Sequence, residues 1–251
     1  MDVLYIYRAN GSGDALELRC SLRSIAQYAR SLGRVYIVGD FPRWGNPREL
    51  RWIPYKWEGE YPTTFAAKWR NMLGALLYAV GHSAIKPEFL VSMDDHYLAA
   101  PVSFGNKYPL FVRDTWSADG QLPCDAPVEG SYREALVHTR ECLEALGLPT
   151  YAACPHRNMR VRVSWLVECN DILEAILAGR VVCEPFALLG NWAIGVHGVK
   201  PVPVRDIKFR DRMSWRDELV EDAFSTEDFV NGGWMHNKLL GLYPIKSKYE
   251  L

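Results

Sequence analysis

Asp94-Asp95-His96 is the densest local group of chemistry-capable side chains in the chain. The two acids directly follow an apolar run, Glu88-Phe89-Leu90-Val91-Ser92-Met93. Adjacent carboxylates repel each other unless a cation or hydrogen-bond donors offset them. One solution is a divalent ion held by the carboxylate oxygens, with a ligand's phosphate oxygens completing its shell. Such an ion neutralises a diphosphate leaving group. The other solution is a pair of acids that caps the turn after the strand. Arg19 and Arg23 stand four residues apart, which on a helix puts both guanidinium groups on one face. That spacing suits phosphate recognition, and equally a solvated helix face. His156, in Cys154-Pro155-His156-Arg157, is a candidate general base, or else a structural histidine. Arg157, Arg160 and Arg162 meet no acid in sequence before Glu168, so an anionic ligand is expected to face them.

The elements that must carry these residues alternate. Val3 to Tyr7 reads as a strand, and the turn Asn10-Gly11-Ser12-Gly13 follows it. The turn is either plain or an anion-binding loop; it is neither a Walker loop nor a dinucleotide fingerprint. Asp14 reads as a helix N-cap with Glu17 as its capping-box partner. Leu18, Leu22, Ile25, Ala29 and Leu32 recur at helical spacing, and Gly33 closes the helix. Strands at 34–38 and 51–54, a helix from Thr63 to Val80 and the strand at 88–93 complete the first hundred residues. Further on, Tyr108 to Val112 reads as a strand, with helices over Tyr132–Leu146 and Ser164–Leu177. The last fifty or so residues show no clean period. The pattern predicts an α/β fold with an open, mostly parallel sheet, flanking helices and an elaborated C-terminal half. One domain over 1–251 is expected, with 1–101 as a nucleotide-binding half and 102–251 as an acceptor-side half. Ligands of such sheets bind beyond the carboxyl ends of the strands. That places Arg8 to Gly13, Gly39-Asp40 and Asp94-Asp95-His96 at the site.

Composition narrows the class. The chain has 251 residues, 49% hydrophobic and 24% charged, with a net charge of −1, which excludes whole-chain disorder and a uniformly basic protein. The most apolar stretch, Met72 to Val80, falls short of the ~20 residues of a membrane span. With no leader pattern at Met1-Asp2-Val3-Leu4, a soluble cytoplasmic protein is expected. Six scattered cysteines without a C-x-x-C pair read as reduced thiols, and most of the nine tryptophans as core or partly buried. Arg205, Lys208, Arg210, Arg212 and Arg216, against Asp206 and Asp211, form a local basic cluster. Such a cluster suits a nucleic-acid backbone, a solvated face, or a loop closing over donor phosphates.

Three segments together carry a family resemblance. They are Glu17-Leu18-Arg19-Cys20-Ser21-Leu22-Arg23-Ser24-Ile25, Val35 through Gly39-Asp40-Phe41-Pro42-Arg43-Trp44, and Met93-Asp94-Asp95-His96-Tyr97-Leu98. The chain resembles the Stealth-type sugar transferases, and more nearly their short phage-encoded and bacterial relatives. Cys154-Pro155-His156, Leu189-Gly190-Asn191, Phe224-Ser225-Thr226 and Pro244 to Glu250 fit more loosely. Two places depart: Tyr7 to Asp14 replaces the W-V-[DN]-G-x-D of the Stealth enzymes, and the Pro185-Phe186 region replaces an Arg. The resemblance implies a GT-A-like fold and a nucleotide-sugar-dependent glycosyltransferase using Mn2+ or Mg2+. By position, Arg19 and Arg23 would contact phosphates, Asp94 and Asp95 would hold the metal, and His156 would lie near the transferred group. Tyr7, Arg8, Asp40, Lys68, Arg157 and Arg160 complete the donor-binding candidates. Asp95 is also a candidate catalytic residue, and Asp228 and His236 are alternatives to His156 as base. The acceptor is expected to be a glycan hydroxyl or, in a phage setting, a modified DNA base. The alternatives are Stealth-like transfer of a sugar-1-phosphate, and a nucleotide- or carbohydrate-binding module.

Overall fold

The computed structural model describes residues 1–9, 15–57, 59, 62–105, 107–113, 121–125, 128–153, 156–209, 222–226 and 233–251. In chain order the first half runs β1 (Asp2–Tyr7), α1 (Leu16–Tyr28), β2 (Ala29–Arg30), β3 (Val35–Gly39), β4 (Leu50–Pro54), α2 (Phe65–His82), β5 (Glu88–Ser92), β6 (His96–Leu98) and β7 (Val102–Ser103). There follow β8 (Leu110–Arg113), α3 (Tyr132–Ala145), β9 (Met159–Arg162), α4 (Val163–Glu168), α5 (Asn170–Leu177) and α6 (Pro185–Gly195). The last are β10 (Pro201–Val204), β11 (Lys208–Phe209), β12 (Ala223–Thr226) and α7 (Trp234–Leu242).

The central sheet has the order β4-β3-β1-β5-β9. Its first four strands are parallel, and β9 closes the edge antiparallel to β5. β1 sits in the middle and every residue of it is buried, so it reads as a continuous apolar run. Its side chains alternate between two cores. Leu4 and Ile6 join Leu73, Leu76, Phe89 and Val161 on the α2 face, while Val3, Tyr5 and Tyr7 join Leu18, Leu22 and Ile25 of α1 on the other. Residues of α1 on a second stripe, Leu16 and Cys20, pack with Tyr97, Phe224, Met235 and Leu239 of β6, β12 and α7. α1 is thus clamped from two sides, which rigidly seats the strand ends beside it. Pro54 ends the edge strand β4, where its missing donor costs no ladder bond.

Several expectations are corrected. α1 ends at Tyr28, not near Leu32, because the chain turns extended there and pairs Ala29 with Val102 of β7. Its N-cap is Ala15 in the left-handed region, with no side-chain cap; Asp14 lies outside the described residues. Glu17 instead accepts a hydrogen bond from the Thr226 hydroxyl at 3.4 Å. Gly33 is no helix cap: its N–H donates to the Met1 carbonyl at 2.7 Å, and a Cβ there would stand 2.3 Å from Asp2 Oδ1. The helix expected over 164–177 is two, α4 and α5, broken at Cys169. α6 and α7 lacked a readable period. α6 is buried on almost every side, so it has no polar face to alternate with. Among the described residues, no helix is long and apolar enough to cross a membrane.

Candidate functional site

β5 delivers the acidic pair. The strand stops at Ser92, and the His96 N–H closes a turn onto the Met93 carbonyl at 3.3 Å, leaving Asp94 and Asp95 half-buried at the carboxyl end. Asp95 lies 3.7 Å from Lys208 Nζ and 3.7 Å from His96 Nε2. The offsetting cation that adjacent carboxylates demand thus has one built-in member, Lys208 of β11. Tyr7, at the end of β1, has its phenol pushed up by burial first, then by the charges of Asp94, Asp40 and Glu17. The strand ends therefore form an electronegative floor. Two half-buried carboxylates on one turn offer the oxygen donors that Mg2+ and Mn2+ prefer. Among the described residues, no group of three His, Cys, Asp or Glu side chains makes a closed metal site.

His156 lies across from this turn. Its backbone N–H donates to Asp206 Oδ1 at 3.1 Å, and its ring Nδ1 lies 2.9 Å from Asp206 Oδ2. Arg113 Nε approaches the same Oδ2 at 2.8 Å, and its Nη2 lies 3.3 Å from Nδ1. Nδ1 cannot accept from Arg113 while it donates to Asp206. The shorter contact and the carboxylate's charge assign the proton to the Asp206 bond, which leaves Nε2 as the lone-pair nitrogen. Burial raises the Asp206 carboxyl, but the His156 bond and the Arg113 charge outweigh it and hold it well below the usual carboxylate range. His96 and His156 meet edge-to-face at 6.4 Å between ring centroids. Burial, the leading cause, pushes His96 down to about 4 despite Asp95 beside it, so it is neutral at physiological pH.

Both histidines line a cavity of about 140 Å3, together with the charged side chains of Arg157 and Glu184 and, among others, Met93, Trp69, Tyr132 and Phe186. Neither Glu184 nor Asp206 nor Arg113 stood out in the sequence as a site residue. Asp206 is fifty positions from His156, and only folding joins them. Glu184 did carry a local sign: an acid before Pro185 is the pattern of a helix N-cap with proline in the first turn.

The other candidates separate. Asp40 ties strand ends together: its N–H donates to the Tyr7 carbonyl at 3.0 Å, and its Oδ2 accepts from the Ala9 N–H at 2.7 Å. Gly39 before it takes a φ of 110°, and a Cβ there would meet the Tyr7 carbonyl oxygen at 2.1 Å. Arg8 donates to the Gly59 carbonyl at 3.0 Å and lies over Trp57. Lys68 lies over Phe65, and Arg19 over Trp44 at 4.8 Å, with its Nε 3.6 Å from Glu250. Arg23, a phosphate candidate by sequence, forms an internal clasp. Its Nε and Nη2 grip the two Glu250 oxygens at 2.8 Å each, and its Nη1 donates to the Tyr243 carbonyl at 2.9 Å. The arginines that have no nearby acid in sequence, and were expected to face an anionic ligand, meet acids across the fold: Arg160 and Arg162 both pair with Glu88 of the neighbouring strand, and Arg157 with Asp222. Asp228, Arg210, Arg212 and Arg216 lie outside the described residues, as does Asp211. His236 sits on α7, whose Met235 and Leu239 pack in the α1 core, and it is not among the cavity-lining residues.

The looser motif Leu189-Gly190-Asn191 is a structural clamp. Asn191 accepts from the Tyr151 N–H and donates to the Tyr151 carbonyl, at 2.8 Å each, while Gly190 lets the Ala153 side chain approach α6. No family model matches the chain, and no curated protein matches it.

Proposed function

We propose that the chain is a GT-A-like glycosyltransferase that moves a sugar from a nucleotide-diphosphate sugar onto an acceptor hydroxyl, with His156 as general base. One observation carries this reading: Met93 and His96 of the acidic turn and a carboxylate-oriented histidine from the opposite half of the sequence line one cavity, with Asp95 3.7 Å from His96 Nε2. That is the juxtaposition a displacement at a sugar carbon needs, with leaving-group charge handled on one side and an acceptor proton removed on the other.

His156 Nε2 takes the acceptor hydroxyl proton as that oxygen bonds to the anomeric carbon. The bond from that carbon to the diphosphate oxygen breaks, and the diphosphate leaves with the electron pair. Asp206 holds the ring in the required tautomer and stabilises the imidazolium that forms. Arg113 keeps Asp206 ionised in its buried position. Asp94 and Asp95 are the residues to hold Mn2+ or Mg2+, which when bound supplies positive charge to the donor diphosphate. Lys208 adds a cation beside Asp95, suited to charge that grows on the leaving group.

The test is a panel of UDP- and GDP-sugars scored for released nucleotide, with and without Mn2+, against glycan and hydroxymethylated DNA acceptors. Nucleoside diphosphate release is expected, and its collapse in Asp94→Asn and Asp95→Asn. Unchanged turnover in both variants overturns the metal role. Release of nucleoside monophosphate overturns glycosyl transfer in favour of sugar-1-phosphate transfer.

A further inference from the structure

We propose that Ser21 and Ser24 of α1 are positioning residues for the acidic turn: they hydrogen-bond the outer edge of β6 and so fix where Asp94 and Asp95 hold their carboxylates. The inference rests on the reading of those two acids as metal ligands and adds to it the residues that aim them.

The need comes from the strand. β6 lies at the edge of the three-stranded sheet β11-β12-β6. Successive residues of a strand turn their backbone groups to opposite edges. The Ala99 N–H reaches the Asp222 carbonyl at 2.8 Å, so residues 97 and 99 present their backbone groups to β12. His96 and Leu98 face the other way, where no further strand of this sheet lies among the described residues. Both are buried, so their outward backbone groups need partners from the protein.

α1 covers that edge and supplies the partners. Ser21 donates to the His96 carbonyl, and Ser24 Oγ accepts from the Leu98 N–H at 3.0 Å. The Ser24 hydroxyl gives its own proton to the Ser21 carbonyl at 2.7 Å. Ser21 has one hydroxyl proton and spends it on His96, so the Tyr5 phenol, 2.8 Å away, is the donor to Ser21 Oγ. Ser21, Ser24 and Tyr5 are each 0% exposed. Hydroxyls are costly to bury unless bonded. An apolar stripe would seat α1 as well, but it would leave the two strand groups unpaired. What the hydroxyls add is register, because a satisfied buried network holds one alignment where apolar faces can slide.

The turn is thereby caught between fixed points. Ahead of it, Ser92 ends β5 in register with Tyr5 of β1. Behind it, His96 and Leu98 are tied to α1. Met93, Asp94 and Asp95 alone span the gap, and the chain Tyr5–Ser21–His96 links its two sides. Groups that must meet a ligand tolerate little error: a misplacement of about 1 Å can cost 10²-fold.

Two measurements test this without turnover. Mn2+ binding to the full chain is followed by electron paramagnetic resonance of the free ion, and exchange of the Leu98 amide by NMR. Wild type is expected to bind Mn2+, and Asp94→Asn to abolish that binding. Ser21→Ala and Ser24→Ala should each weaken it about tenfold, the low end for residues that orient metal ligands. Ser24→Ala should also speed Leu98 exchange about tenfold. Leu22→Val is the control. It thins the core under α1 but leaves each of these bonds in place, so it should keep wild-type Mn2+ affinity even where its melting temperature falls as far. Undiminished binding in both alanine variants overturns the positioning role and spares the metal reading. Equal weakening in Leu22→Val at a matched melting temperature does the same, since the serines are then merely structural. Wild-type binding that is absent, or that survives Asp94→Asn, overturns the metal reading and the proposal with it. If one alanine variant does not fold, the other decides. Leu98 exchange in wild type as fast as that of exposed loop amides overturns the anchoring whatever the variants do.

Discussion

Asp206→Asn is the substitution that most sharply probes the His156 network. The side chain keeps its size, so no cavity opens. What changes is charge. Arg113, 3% exposed, loses the carboxylate 2.8 Å from its Nε. Removing one partner of a buried ion pair costs about 3–5 kcal/mol, a large part of the roughly 5–15 kcal/mol that a folded protein holds in reserve. The same substitution offers His156 an amide in place of a carboxylate. An amide that donates to Nδ1 forces the proton to Nε2, the wrong tautomer for a base, and a loss of about 10⁴ in turnover is expected. Urea unfolding followed by tryptophan fluorescence measures the first effect, and nucleotide release the second. Adding Arg113→Met to Asp206→Asn should restore part of the lost stability, since no unmatched charge is left buried. A loss below about 1 kcal/mol, or a double mutant whose losses simply add, refutes the buried-pair reasoning. Wild-type turnover in Asp206→Asn refutes the role of Asp206 in orienting the base. Asp206 also carries a pH signature. Its folded carboxyl is held below the usual 3.8, so its stabilisation is whole above that value and drains as pH falls beneath it.

His96 titrates at about 4 when folded and near 6.5 when unfolded, so the unfolded chain binds the extra proton between those values. Each pH unit in that window removes about 1.4 kcal/mol. Roughly 3 kcal/mol of stability should therefore drain from pH 6.5 to 4, and a His96→Gln variant whose urea midpoint falls as steeply over that range would contradict this. Glu250→Gln breaks the Arg23 clasp, in which the two side chains are 11% and 3% exposed; the expected cost is at the low end of about 3–5 kcal/mol, with an unchanged donor KM. A tighter donor KM in that variant would instead return Arg23 to the phosphates. Gly39→Ala should cost more than about 1 kcal/mol from its positive φ alone, with more from the Tyr7 carbonyl in its way; a melting temperature equal to wild type would show that the strand exits can part.

The readable portions of the fold share a physical cause. α1 and α3 bring their core residues in at helical spacing, so Leu18, Leu22 and Ile25, or Ala135, Leu136 and Leu143, announce themselves by period. β1, β3 and β5 are buried on both faces and announce themselves as short apolar runs bounded by turn residues. α6 has neither signature, because Phe186, Leu188, Leu189 and Asn191 are all buried. The end of α1 was misplaced because Ala29 suits a helix locally, and only the distant Val102 draws it into a strand pair.

The acidic turn was legible because its position follows from local facts: an apolar strand must stop where two charges begin. The fate of the arginines was not. Arg23, Arg157 and Arg160 look alike in sequence, and what distinguishes them is which carboxylate the fold brings near, namely Glu250, Asp222 or Glu88. From its sequence alone this protein is committed to parallel strands, flanking helices and a pair of carboxylates at a strand end, since backbone period and turn chemistry act over a few residues. The tertiary structure alone decided that His156 leans on Asp206, that Lys208 faces Asp95, and that Glu184 lines the cavity beside His156. Charges and hydrogen bonds in a desolvated interior act through space and take no account of distance along the chain.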